Sequence, residues 1–432
     1  MIGNLLMFAS TMKSIGGVLL AILILLAMVT VHEFGHYVAG KILGFKINEF
    51  SVGFGPALFQ KRSKKTGELF AIRLIPLGGY CAFDGEDEDD EEFTDQTVEK
   101  TWEEPFEELQ PKKADDGGRD ALNAPAVAFE TQEIAENQEN DGAAEEYPEP
   151  QGERFNDQPP WKRIIVLIAG ATMNYLLALI LIVVMFACIG RPVFEVQKAP
   201  ASAETTATQV SADADVFVWD TGDVILEIDG KIPYMITDYI DILEGKKAGK
   251  KVPVLILRDG KEQTVQLTLV QNASFSNMTD TQTLLRAMGF TKGDSLINRA
   301  QKDGFWETIG NAFGYSFKIG GTVLRSLGEL LTGKIGMESM GGPVTTITVT
   351  AQAASSGWSS FLSIAAFIGV NLAVFNLLPI PALDGCKVIF CLIEWIFKKP
   401  VNRKVEAIIH FIGIIFLFGF AILVDVLQLF RI

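Results

Sequence analysis

Long apolar runs alternate with polar stretches along the chain. The first run covers residues 15–31 and continues past polar positions to Val38; the others cover residues 164–189, 358–380 and 407–429. Each supplies the roughly 20 residues that a helix needs to cross ~30 Å of hydrocarbon. The pattern therefore predicts a multi-pass α-helical membrane protein with four transmembrane helices, placed at residues 1–40, 159–190, 357–386 and 405–430. The first run lacks a basic leader apart from Lys13 and exceeds the ~7–15 residues of a signal-peptide core, so it reads as a retained span.

The polar stretch between the second and third spans has a different rhythm. Val224-Ile225-Leu226-Glu227-Ile228 runs into Asp229-Gly230, and Val254-Leu255-Ile256-Leu257-Arg258 runs into Asp259-Gly260. Val265, Leu267 and Leu269 then alternate with Gln266 and Thr268. Strands flanking an Asp-Gly pair read as a hairpin. A short helix fits residues 234–243. Residues 191–272 thus form a small α+β domain of about the size of a PDZ module. Within residues 273–356, Trp306, Ile309, Phe313, Phe317, Leu324, Leu327 and Leu331 recur at helical spacing, which predicts an amphipathic helix resting on a membrane or on the domain before it.

Charge is concentrated in one place. The net charge is -16. Residues 84–158 hold 27 acidic and 5 basic side chains, so the remainder is slightly basic. This acidic insert has few aromatics and no periodicity, and it is expected to be a disordered cytoplasmic tether. Basic clusters follow span one (Lys61, Arg62, Lys64, Lys65), precede span two (Lys162, Arg163) and fill the loop at 387–404 (Lys398, Lys399, Arg403, Lys404). All lie on one side if the N-terminus and the domain at 191–272 are outside the cell membrane. No dense basic stripe suggests a nucleic-acid partner. The mean hydropathy of +0.25 is too high for an ordinary soluble enzyme. Cys81, Cys188, Cys386 and Cys391 form no CxxC pair and read as small buried apolar residues.

Candidate chemistry lies where the spans turn polar. Two of the three histidines occur in His32-Glu33-Phe34-Gly35-His36. Residues i and i+4 share a helix face, so both imidazoles can bind one metal ion, and Glu33 sits one step round, within reach of a water on it. Ionisable groups at membrane depth are expensive and usually functional. Zinc catalysis normally takes three protein ligands. Two residues can supply the third: His410, and Asp384 in Asn376-Leu377-Leu378-Pro379-Ile380-Pro381-Ala382-Leu383-Asp384-Gly385. The two prolines favour Asp384, because they break a helix where a lone carboxylate would otherwise face lipid.

Together these residues resemble the site-2 protease family of intramembrane zinc metalloproteases, and within it the bacterial subgroup that cleaves anti-sigma factors and signal-peptide remnants. The likeness covers nearly the whole chain. It includes Gly53-Phe54-Gly55-Pro56, the stretch 70–80, Phe155-Asn156, Trp161-Lys162-Arg163, residues 330–335 and Met340-Gly341-Gly342-Pro343. The resemblance implies Zn2+ held by His32, His36 and Asp384, with Glu33 as general base. It implies that Asn376 handles substrate. Residues 41–83 would hold a membrane-re-entrant β-hairpin, whose strand at 70–77, with Ile72, Arg73 and Leu74, pairs with extended substrate. It places a PDZ-like extracytoplasmic domain at residues 191–272. The implied partners are transmembrane protein substrates and the lipid bilayer, and the implied active site lies near the cytoplasmic side. Three departures stand out. Gly170-Ala171 replaces the family's Gly-Pro while Asn174 is kept, the acidic insert is long, and no clear Ala-Gly-Leu stretch precedes Gly222-Asp223. The last makes a steric size filter at least as good a reading of the outer domain as peptide-end capture. A zinc transporter would need polar residues staged through several spans, and an inactive scaffold would have no use for Glu33.

Overall fold

The computed structural model describes residues 2–86, 147–199, 217–275, 280–336 and 340–429. Most of the acidic insert, and Asp213 to Val216 ahead of Gly222, lie outside the described residues.

The four apolar runs are four helices: α1 (Ile2–Leu43), α2 (Pro160–Cys188), α7 (Trp358–Asn376) and α9 (Arg403–Leu429). Each is long and apolar enough to cross a membrane. Pro160 opens α2 at a position where a missing N–H costs nothing. Between lipid-facing helices there is little hydrophobic drive, so close approach at small residues must hold them together. Gly35 of α1 meets α2 this way: a Cβ there would lie 2.5 Å from the Ala169 carbonyl oxygen.

A long antiparallel hairpin, β1 (Ile47–Arg62) and β2 (Leu69–Phe83), follows α1. Phe50 lies opposite both Cys81 and Phe70, and Ala71 lies opposite both Ser51 and Gln60, so the hairpin folds back on its own root. Arg73 locks the fold by donating to Glu49, Ser51 and the Gly55 carbonyl at 2.6, 2.9 and 2.8 Å. The buried carboxylate of Glu68 ties the hairpin to α1 by accepting from Tyr37 (3.0 Å) and Lys41 (2.5 Å). Residues 84–86 and 147–158, expected to belong to a disordered insert, are ordered instead. Lys46 N–H donates to the Glu153 carbonyl and Phe155 N–H to that of Asp84. Phe155 is buried with Phe45 and Phe83. One aromatic residue at the end of the acidic segment thus joins the core beside the hairpin.

The unit that follows α2 is a five-stranded antiparallel sheet in the order β6-β5-β4-β3-β7. Its strands are β3 (Arg191–Gln197), β4 (Val224–Ile228), β5 (Lys251–Arg258), β6 (Lys261–Thr268) and β7 (Ser295–Gln301), with helices α3 (Ile236–Leu243) and α4 (Thr281–Ala287). Asp259-Gly260 turns β5 into β6 with both residues at positive φ, as a tight hairpin requires. Trp219, Ile225, Tyr239, Leu243, Val254 and Ile256 lie in the core. The unit extends to Gln301, beyond the expected boundary at 272, because β7 pairs with β3 along its whole length. Its polar sequence, Ser-Leu-Ile-Asn-Arg-Ala-Gln, carries no alternation that would have announced a strand.

The amphipathic helix α5 (Phe305–Leu331) buries Ala312, Tyr315, Ser316, Ile319 and Val323 on α2 and α7. Most of the apolar stripe read from the sequence points outward: Trp306, Phe313, Phe317, Leu324 and Leu331 are exposed. An additional short helix, α6 (Pro343–Ser356), packs on α1, and α8 (Asp384–Phe397) follows the proline segment. All four cysteines are free; Cys386 and Cys391 are buried, but Cys188 is exposed.

Candidate metal centre

Helix α1 sets the first half of the site by its own periodicity. His32 and His36 bring their Nε2 atoms to 3.1 Å of each other, and both are largely buried. Residue 384 lies some 350 positions away in sequence, yet Asp384 Oδ2 is 3.0 Å from His32 Nε2 and 3.4 Å from His36 Nε2. Asp384 opens α8 just after the broken segment, and the ion pair of buried Arg163 with half-buried Glu394 (2.5 Å) ties α8 to α2.

The donor chemistry fits a metal ion. His36 Nδ1–H donates to the Val166 carbonyl at 2.8 Å, which leaves the Nε2 lone pair pointing inward. Asp384 Oδ2 is buried with no hydrogen-bond donor. Converging lone pairs repel unless a cation lies between them. Ligand distances of ~2.0–2.1 Å in a tetrahedral site put donors about 3.3 Å apart, close to the separations seen here. Among the described residues, His32, His36 and Asp384 are the one such cluster.

Two asparagines meet the other side of His32. The amides of Asn174 and Asn376 lie 3.3 and 3.5 Å from His32 Nδ1. An imidazole that offers Nε2 to a metal carries its proton on Nδ1 and needs an acceptor there. Asn174 Oδ1 is buried without a partner. Turning that amide over, a choice that heavy-atom positions leave open, lets Oδ1 accept from His32. Asn174 thus belongs to the site, although its signal in the sequence was only its place in a family pattern. Gly170, one turn earlier on α2, makes room for both rings: a Cβ there would lie 2.4 Å from His36 Nε2 and 2.8 Å from His32 Cε1.

Glu33 faces a cavity of about 420 Å³ that also reaches His32, His36 and Asp384. Its wall opposite is the last part of β2, Tyr80 to Phe83, with Lys387 and Glu86 paired at 2.7 Å at its edge. Ile72 and Leu74 are exposed, whereas Arg73 is committed to the hairpin's own clamp. Ala71 and Ile72 are flanked by chain on both sides. Among the described residues, Gly79 to Cys81 pair only with positions 50–52, and a Cβ on Gly79 would lie 3.4 Å from Glu33 Cγ. Because the hairpin folds back, the strand edge beside Glu33 is 79–83, paired on one side only; of the 70–77 stretch, residues 70–72 are paired on both sides. His410, the other candidate ligand, lies outside this cluster and accepts a backbone N–H from Ala382.

A two-histidine helix turn inside an apolar span, with a glutamate between the histidines and a carboxylate from a distant span, is the arrangement of a membrane-embedded metallopeptidase. The model of peptidase family M50 matches residues 20–420, and the chain belongs to that family. Similar proteins include the zinc metalloprotease RasP of Bacillus licheniformis, 27% identical with 92% of this chain and 94% of the relative covered. The regulator of sigma-W protease RasP of Bacillus subtilis is 28% identical over the same shares. A putative zinc metalloprotease of Staphylococcus aureus is 30% identical, again covering 92% of this chain and 94% of the relative.

Proposed function

We propose that this protein is a zinc endopeptidase that hydrolyses peptide bonds of single-span membrane proteins within the bilayer. The observation that carries the reading is the meeting of His32, His36 and Asp384 beside Glu33, inside an apolar helix package and open to a cavity. His32, His36 and Asp384 would hold the ion. When bound, zinc supplies Lewis acidity that acidifies a water and polarises a carbonyl. Glu33 accepts the proton of the attacking water on its carboxylate and returns it to the leaving amine. Asn174 keeps the His32 proton on Nδ1, and the Asn376 amide stands beside the same nitrogen.

A substrate helix hides its carbonyls in intrahelical bonds and must be drawn out. The edge at 79–83 offers replacement backbone bonds by strand addition, which offsets the cost of bare peptide groups in a nonpolar site. The hairpin's exposed Phe54, Leu58, Phe59, Ile72 and Leu74 suit a re-entrant position in the membrane. The basic clusters put the site near the cytoplasmic side, with the N-terminus and the PDZ-like unit outside. There the unit acts as a size filter. The Bacillus subtilis relative is a regulator of sigma-W protease; for this chain, anti-sigma factors and signal-peptide remnants are the substrate classes proposed.

Glu33→Gln should keep zinc at the wild-type ratio and abolish cleavage of a single-span model substrate in detergent. Turnover by that variant would remove Glu33 as the base, and loss of its zinc would give Glu33 a structural role instead.

A further inference from the structure

The third histidine sits on α9, the span least covered by protein: Ile408, Phe411, Ile412, Ile415 and Phe416 are all exposed. Two contacts join α9 to the proline segment that ends in Asp384. His410 Nδ1 accepts the Ala382 N–H at 3.1 Å. One turn on, Gly413 lets Pro381 come close, since a Cβ there would lie 2.4 Å from Pro381 Cβ. The His410 ring is also packed edge-on against Phe390 of α8, with centroids 5.9 Å apart.

Ala382 stands at φ +77, the left-handed region that residues with a Cβ rarely occupy. Such a conformation persists only where the surroundings hold it. Pro379 and Pro381 have no N–H to donate, and Leu383 N–H is turned inward to the Ile380 carbonyl. The Ala382 N–H is bound instead to a different helix. Two residues later Asp384 begins α8, so the backbone direction at Ala382 decides where its carboxylate points.

We propose that His410 is a positioning residue: its bond to Ala382 holds the left-handed turn that delivers Asp384 to His32 and His36. The inference rests on Asp384 being a metal ligand. His410 is not among the residues that line the cavity or form the ligand cluster. Without the acceptor, Ala382 relaxes toward negative φ and the carboxylate swings away. A glycine at 382 holds the turn with no such support.

The test uses full-length protein in detergent and reads zinc affinity by competition with a chelator, alongside cleavage of a model substrate. His410→Leu keeps bulk against Phe390 but removes the acceptor. It should weaken zinc binding about tenfold or more, the size usual for losing a group that orients a ligand. His410→Asn, whose Oδ1 can stand in for Nδ1, should regain most of the loss. So should the double variant His410→Leu with Ala382→Gly, while Ala382→Gly alone should bind like the wild type. Unchanged affinity in His410→Leu overturns the proposal, as does a loss that Ala382→Gly does not repair. If His410→Leu fails to fold, recovery of folded, zinc-binding protein in the double variant supports it and failure of both counts against it. Asp384→Asn separates the two levels: wild-type zinc affinity there would sink the ligand reading itself.

Discussion

The helix package around the metal centre and the outer sheet unit are held together by opposite means. The outer unit has a conventional core in which Tyr239, Leu243, Val254 and Ile256 are wholly or almost wholly out of solvent. Some of its buried polar groups are answered within the unit: Trp219 Nε1 donates to the Met288 carbonyl, and Asp223 takes a forked pair of bonds from Arg258, although the Tyr239 hydroxyl is buried without a partner. Water drives that assembly. The helix package cannot rely on the same force, because lipid tails are as apolar as leucine side chains. It relies on close approach at Gly35, which meets the α2 backbone, and at Gly170, which makes room for the imidazoles, and on polar groups gathered at one depth. Space is therefore the scarce quantity in the membrane part, and solvent exclusion the governing one outside.

That contrast can be broken most directly at Gly170. In Gly170→Ala the new methyl group must displace imidazoles it would approach to 2.4 Å. Zinc content of the purified protein should fall at least about tenfold, with cleavage lost, as for damage to groups that orient ligands. Normal zinc content in that variant would mean that the helices yield, and that close approach is not what shapes the centre.

A smaller effect is expected at Asn174. Asn174→Leu retains volume but removes the acceptor for His32 Nδ1–H, and zinc affinity should drop about tenfold, the low end for losing a group that orients a ligand. Asn174→Asp should bind zinc much better than the leucine variant. Equal loss in both would make the residue a packing group only.

The smallest effect lies outside. Burial tends to raise the Asp294 carboxyl, but N–H bonds from Thr291 and Ala199 and the Thr291 hydroxyl hold it below its ordinary value. A carboxyl depressed in the folded state stabilises it fully above the unfolded value of about 3.9, and this is lost as pH falls through the folded value. The group is largely exposed, so solvent screens much of the effect. Thermal melts of the full chain should show the outer unit's transition falling slightly below about pH 4, and Asp294→Asn should flatten that slope. A slope unchanged by the substitution would assign the acid sensitivity to other carboxylates.

Several features were legible before the fold was known because each is local. Helical period alone places His32 beside His36, and apolar length alone yields four spans. Asp259-Gly260 announces its turn because positive φ suits those residues. Strand β7 escaped notice because its pairing with β3, not its own pattern, makes it a strand. The apolar stripe of α5 left two faces open, a membrane or the domain before it, and a stripe alone does not choose between them; most of it points outward.

The amino-acid order by itself thus decided where the spans lie, which helix turn carries two imidazoles, and that a proline-broken carboxylate was available to join them. Only the tertiary structure decided that Asp384 arrives, that Asn174 and Asn376 stand behind His32, that residues 79–83 are paired on one side only, and that His410 meets the Ala382 N–H outside the cluster of His32, His36 and Asp384. Those facts are contacts between segments far apart in the chain. Periodicity fixes the face a residue takes on its own element, whereas the neighbour it meets there depends on how whole helices approach.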